Sequence, residues 1–387
     1  MDLSTRLVEQ ARELAPLVAS EAVNTEQRGE VSRNLIDQFC SAGFPKVLVP
    51  KRYGGYELGV DTMSRIVRAI APSCSSTAWI FAFYMGHNFM HALFPERSQE
   101  EVFGDKSFAL SPGTAAPQFK MEPVADGYLV TGRSSWNSGS AAADWYISGG
   151  LTDGQDGSRQ HLLFVVPAAD AKVVENWDVV AMRGTASNDM VLDSVFVPEY
   201  RTVDAASVMG GSSPGSQLHS SNAMYSLPVM PLLLAEVLPI IVGAYRAVVD
   251  DYKTFVEARQ GPRFTTRTPS KQLTQIKVGR GLAGADLADT MWDDYLRILT
   301  TTPPDVLREP VTRAALKARV ATITDFCADG IDAVVGAAGA EAFRSKSPLQ
   351  RFFRDISMLR VHAYLDVENA CEQYGRLLFG LPPEAPI

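Results

Sequence analysis

The hydrophobic period changes twice along the 387 residues of this chain, and that double change limits its folds more than any single motif. Leu7, Ala11, Leu14, Ala15 and Val18 recur at helical spacing, and Val31, Leu35, Ile36, Phe39 and Cys40 repeat the pattern until Gly43 stops it. A short extended piece follows, closed by prolines and Gly54-Gly55, before helix resumes near Asp61, a plausible N-cap. Ser75 to Leu93 is apolar almost all round, which predicts a buried helix. From Phe108 to Thr202 the texture is that of short strands: Val124–Thr131 with a turn at Asp126-Gly127, Trp145–Gly149, His161–Pro167 and Val191–Pro198. Residues 203–217 are rich in Gly and Ser and read as a linker or mobile loop. Helical spacing then returns over Leu232–Glu257, Ser270–Thr300, Leu307–Val335 and a closing stretch. The order predicts an α+β chain in three units, 1–107, 108–215 and 216–387, with the strands in an antiparallel barrel or sandwich.

Composition removes several function classes. Hydrophobic residues at 46% and charged residues at 21% are ordinary for a globular protein. A net charge of -8 argues against a nucleic-acid binder. Cys40, Cys74, Cys327 and Cys371 are scattered with no metal-ligand spacing, which fits a reducing compartment and no metal site. The N-terminus shows no secretory pattern, and the apolar run from Leu227 to Ala244 is broken by prolines and Glu236, so a soluble, cytoplasmic protein without a membrane span is expected.

Several residues carry chemistry. His87 and His91 stand at i and i+4 of the buried helix, on one face, a spacing that suits a metal pair or two satisfied core histidines. Arg351, Arg354, Asp355 and Arg360 surround two phenylalanines just before His362, downstream of the small-residue run Gly336–Ala340. Arginines there can hold an anion, and the histidine can act as an acid or base near neutral pH. Neither a G-x-G-x-x-G after a strand nor a P-loop is present, so no nicotinamide-binding signature is visible.

Four segments, in order, resemble the acyl-CoA dehydrogenase superfamily. They are Ala42–Gly55, Trp136-Asn-Ser-Gly, Met182–Ser187 with the strand ending Val195–Glu199, and Gly336–Gly339 followed by Leu349–Asp355. The resemblance implies an N-terminal helical domain, a middle β-barrel and a C-terminal four-helix bundle, usually as a homotetramer. One departure matters. Where many dehydrogenases keep a proton-abstracting glutamate, this chain has His362-Ala363-Tyr364. A histidine there resembles the flavin-dependent monooxygenases of the same fold, the oxygenase components of two-component aromatic hydroxylases.

That branch implies reduced FMN or FAD from a separate flavin reductase, O2, a flavin C4a-hydroperoxide and an aromatic or polycyclic substrate. By the same resemblance Ser138 stands near flavin N5, Trp136 packs on the isoalloxazine, and Ser187 is a further flavin contact. His362 faces a substrate hydroxyl and deprotonates or polarises it, Ser111 touches substrate, and His87 assists protonation or is plain core. Arg259, Arg263 and Gln275 resemble the segment that reaches a neighbouring subunit's flavin, and Arg354 marks the flavin end of the last motif. N- or S-oxygenation, as in amino-sugar nitrososynthases, and thioester dehydrogenation with tightly held FAD are the alternatives on this fold.

Overall fold

The computed structural model describes residues 1–104, 106–153, 158–258 and 268–387. Helices come first: α1 (Leu3–Arg28), α2 (Arg33–Ser41), α3 (Val60–Ile70), α4 (Ser75–His91) and α5 (Glu96–Phe103). Their ends follow capping chemistry. Asp2 accepts from the Thr5 N–H at 2.8 Å, Ser32 accepts from the Leu35 N–H, and Gly29 closes α1 at φ 81°. Between α2 and α3 the expected extended piece is instead two 3-10 turns, Phe44–Lys46 and Lys51–Tyr53. Gly43 and Gly54, both at left-handed φ, bend the chain there. Gly59 rather than Asp61 caps α3, and Asp61 lies within its first turn.

Among the described residues seven strands form one sheet: β1 (Gly113–Val124), β2 (Gly127–Asn137), β3 (Trp145–Asp153), β4 (Arg159–Pro167), β5 (Lys172–Val174), β6 (Asn188–Pro198) and β7 (Thr202–Asp204). Their order is β5-β6-β2-β1-β3-β4-β7. The pairings are antiparallel except β1 with β3, which run parallel because the chain crosses over after the β1–β2 hairpin. Strand periodicity alone did not reveal that parallel pair, nor the three-residue strands β5 and β7. The sheet has its own core, with Phe119, Met121, Tyr146, Phe164 and Met190 at its centre.

The Gly/Ser-rich stretch is not an open linker. It holds α6 (Ala205–Met209) and α7 (Pro214–Leu218), and Gly215 lies so close to the Leu93 backbone that a Cβ there would come within 2.5 Å. The C-terminal helices are α8 (Val229–Ala258), α9 (Gln272–Thr301), α10 (Pro304–Arg308), α11 (Pro310–Ala338), α12 (Pro348–Arg360) and α13 (Val367–Leu378). The apolar α8 packs against α3, α4, α9, α11 and α12, so its composition serves the core. One continuous core runs through both helical segments, from Leu7 to Leu365. The closing helix expected from periodicity is split in two, and His362 lies in the turn between α12 and α13.

Candidate active site

Three pieces of chain meet on α4. The first is the end of β2 and the loop after it, carrying Trp136, Ser138 and Gly139. The second is the loop before β6, from Met182 to Ser187. The third is the turn holding His362. The first two pieces contain non-glycine residues in the left-handed region, Trp136 at φ 69°, Met182 at φ 50° and Ala186 at φ 43°. Such backbone is costly and gathers at functional sites. Gly139, at φ 86°, accepts a 2.6 Å hydrogen bond at its carbonyl from the buried Tyr84 hydroxyl, which fastens the first loop to α4.

Trp79 of α4 joins the pieces. Its indole N–H donates to Ser138 Oγ at 3.1 Å, and its ring meets His362 edge-on with centroids 5.8 Å apart. Ser138 Oγ lies 2.8 Å from Ser187 Oγ, and Ser187 Oγ 2.7 Å from Thr185 Oγ1, which donates to the Met182 carbonyl at 2.9 Å. The Met182 N–H in turn donates to Asp355 of α12 at 2.6 Å. Burial pushes the Asp355 carboxyl up to about 7, against the pull of the Met182 N–H and of Arg354 and Arg351.

Trp79, Phe83 and His87 stand at i, i+4 and i+8, one stripe of α4. Phe83 lies 4.5 Å from Trp79 and 5.0 Å from His87, centroid to centroid. His87 Nδ1 is 2.5 Å from the Ser111 carbonyl, which can only accept, so Nδ1 carries the proton and Nε2 keeps its lone pair. Burial lowers His87 to about 4 and His91 to about 3, so both rings are neutral at pH 7. His91 Nε2 and the Ser111 hydroxyl share a 2.7 Å hydrogen bond, which engages the Ser111 side chain. His362 has the opposite tautomer. Its Nδ1 accepts from the Tyr364 N–H at 3.3 Å, so the neutral ring has its proton on Nε2. Burial lowers this histidine as well. Gly86, near Trp79 on the α4 helical wheel, is overlain by the buried Glu236 carboxyl, which has no hydrogen-bond partner among the described residues and whose pKa burial pushes well above the ordinary carboxylate range.

The residues singled out from sequence divide. Ser138, Ser187, His362, His87 and Ser111 all lie on or beside α4. Trp136 is 59% exposed, its indole edge-on to Trp177 at 5.1 Å, leaving a face uncovered. Arg354 ion-pairs with Glu26 and donates to Gln350 at 2.7 Å and to the Val180 carbonyl, so it braces α12 against the Met182 loop. Arg354 also lines an apolar cavity of about 470 Å³ with Val179, Val180, Phe353 and Met358. Gln275 is exposed and donates to the Pro269 carbonyl at 3.1 Å. Arg259 and Arg263 lie outside the described residues. A larger surface cavity of about 1330 Å³, near Arg97, Tyr128 and Arg201, contains none of the candidate residues. Trp79 and Thr185 were not among the sequence candidates. The i, i+4, i+8 stripe with His87 was the signal for Trp79, whereas nothing local distinguishes Thr185.

A reduced flavin fits this cluster. It needs an aromatic face, here the uncovered Trp136 indole, and a hydroxyl with a spare lone pair, here Ser138. Family models for the acyl-CoA dehydrogenase N-terminal and C-terminal domains match residues 4–95 and 237–367. A pigment production hydroxylase of a Rhodococcus species is 39% identical over 100% of both chains. The flavin-dependent monooxygenase oxygenase subunit HsaA of Rhodococcus jostii is 30% identical over 95% of this chain and 97% of its own. Among solved structures, XiaF from a Streptomyces species, in complex with FADH2 and glycerol, superposes with a TM-score of 0.89 at 25% identity, covering 99% of this chain and 97% of its own. The chain belongs to the acyl-CoA dehydrogenase superfamily, in its branch of flavin-dependent monooxygenase oxygenase components.

Proposed function

We propose that the protein is the oxygenase component of a two-component system that hydroxylates an aromatic or polycyclic substrate, using O2 and reduced FMN or FAD made by a separate flavin reductase. The relatives' printed activities support this class. The observation that carries it is the pair of oppositely protonated imidazoles beside Trp79 and Phe83. When bound, the reduced flavin supplies the chemistry that activates O2.

The chain's own residues hold the substrate. His87 Nε2 is free to accept a hydrogen bond from a phenolic hydroxyl, and His362 Nε2–H is free to donate one to the substrate, at opposite ends of the Trp79–Phe83 stripe. Full proton removal by His87 is a poor description. A phenol near pKa 10 would pass its proton to a base of about 4. That gap of about six pKa units is uphill by about 8 kcal/mol. Polarisation of the hydroxyl through a hydrogen bond raises electron density on the ring carbon without that cost. Phe83 and Trp79 form the apolar wall between them, and the Ser111 carbonyl fixes the His87 ring.

Around this centre the superfamily frame supplies the remaining assignments. The seven strands form its barrel, and α8, α9, α11 and α12 its four-helix bundle, with units 1–107, 108–215 and 216–387. Trp136 packs on the isoalloxazine, Ser138 and Ser187 face its N5 edge, and Arg259 or Arg263 with Gln275 serves the flavin of a neighbouring subunit in a cytoplasmic homotetramer.

The test separates the two components. Protein given NADH, FMN and a simple phenol in air should oxidise no NADH. Protein given photoreduced FMN, air and the same phenol should form the hydroxylated product. NADH oxidation by the protein alone, or flavin reoxidation that yields only peroxide across a panel of phenols, overturns the reading.

A further inference from the structure

The hydroxyl chain at Ser138 has only one consistent direction. Thr185 Oγ1 has a single proton and donates it to the Met182 carbonyl, which cannot donate back. Thr185 therefore accepts at 2.7 Å from Ser187. With its proton so placed, Ser187 accepts at 2.8 Å from Ser138. Ser138 then has no proton left to offer. One of its lone pairs takes the Trp79 indole N–H at 3.1 Å, and no described residue takes the other. The far end of the chain is fixed as well, since the Met182 carbonyl also accepts the Trp177 indole N–H at 3.1 Å and its N–H is held by Asp355. Ser138, Ser187 and Thr185 are all buried, so water does not compete for these protons.

Building on the reading that Ser138 faces flavin N5, we propose that Thr185 is a positioning residue that makes the site selective for the redox state of the flavin. Reduced flavin carries a hydrogen on N5 and oxidised flavin carries a lone pair. A Ser138 oxygen restricted to accepting pairs with the first and opposes the second. A separate reductase delivers reduced flavin, and the oxidised form must leave after turnover. The hydroxyl chain enforces that traffic from two residues away, without Thr185 touching the flavin.

The experiment measures binding. Photoreduced FMN under anaerobic conditions and oxidised FMN are titrated separately into the protein, and the Kd values are compared. The wild type is expected to bind the reduced form at least about tenfold more tightly, the effect of one hydrogen bond set against one lone-pair clash. Thr185→Val keeps the shape and removes the acceptor, so Ser187 turns its proton to Ser138 and Ser138 becomes able to donate to N5. The preference should fall to within about threefold, mostly through tighter binding of oxidised FMN. Thr185→Ser should restore it, and Ser187→Ala should lose it as Thr185→Val does. A flavin-free readout accompanies these titrations. The Trp79 indole proton resonance, assigned by its disappearance in Trp79→Phe, should move upfield in Thr185→Val, because a Ser138 hydroxyl that no longer donates to Ser187 is a poorer acceptor. Equal binding of both FMN forms by the wild type, or an unchanged preference in both Thr185→Val and Ser187→Ala, overturns the proposal and leaves the oxygenase reading standing. Binding of neither form overturns the oxygenase reading, and the proposal with it.

Discussion

The two neutral histidines of α4 make a quantitative prediction about acid. An unfolded histidine titrates near 6.5, whereas burial holds His91 at about 3 and His87 at about 4. For a base whose folded pKa is depressed, the unfolded chain binds the proton first. Stability is therefore fully present above 6.5 and is lost as pH falls towards the folded value. From pH 6.5 to pH 5 each histidine withdraws roughly 1.5 × 1.36, or about 2 kcal/mol. Buried acids act in the opposite sense. Asp355, raised to about 7, and Asp251, raised to about 6, regain stability as they protonate. The raw pH profile of the wild type thus mixes both signs, and a difference between proteins isolates one group. His91→Gln keeps a partner for the Ser111 hydroxyl and removes the titration. Urea unfolding followed by tryptophan fluorescence at pH 7 and pH 5 should show the wild type losing about 2 kcal/mol more than the variant between the two. Parallel losses would mean that His91 protonates freely in the folded protein. The burial reasoning would then fail, and with it the neutral state assigned to His87.

Two further outcomes follow from the same geometry. His362→Ala removes the Nε2–H donor without touching Ser138, so flavin binding should persist while hydroxylation falls about 10²-fold or more and peroxide release rises in its place; an unchanged product yield removes His362 from the mechanism. Tyr84→Phe leaves the buried Gly139 carbonyl without its 2.6 Å partner, which should lower stability by about 1–3 kcal/mol in the same urea assay and weaken reduced-FMN binding through the loosened Ser138 loop; a variant matching wild type in both would detach Tyr84 from that loop.

What the sequence disclosed depends on the range of the interactions involved. The buried character of α4, the long helices after residue 222 and the hairpin at Asp126-Gly127 were legible because period and turn chemistry are local. The parallel pairing of β1 with β3 was not, because a crossover leaves no mark on either strand's own pattern. The same contrast runs through the site. Ser138 and His362 stood out through the motifs around them, yet the link between them is Trp79, which is 59 residues from Ser138 and whose one mark in an otherwise uniformly apolar helix is the i, i+4, i+8 stripe with His87. Thr185 acquires its role only because Met182 and Ala186 bend the backbone into the left-handed region and set three hydroxyls in a row. Arg354 is legible in the same way through its motif, which suggests a cofactor contact, while its partners Glu26, Gln350 and the Val180 carbonyl come from distant parts of the chain or the preceding helical turn.

The central claim is that this chain transfers an oxygen atom from O2 to an aromatic ring when given reduced flavin. One measurement bears on it most directly. The protein is mixed anaerobically with photoreduced FMN and a phenol, then exposed to 18O2 in unlabelled water, and the product is weighed by mass spectrometry. The account predicts a hydroxylated phenol carrying one 18O atom per molecule, formed in amounts that do not exceed the reduced flavin supplied. A product whose new oxygen comes from water, or labelled peroxide with no labelled phenol for any member of the panel, would contradict it.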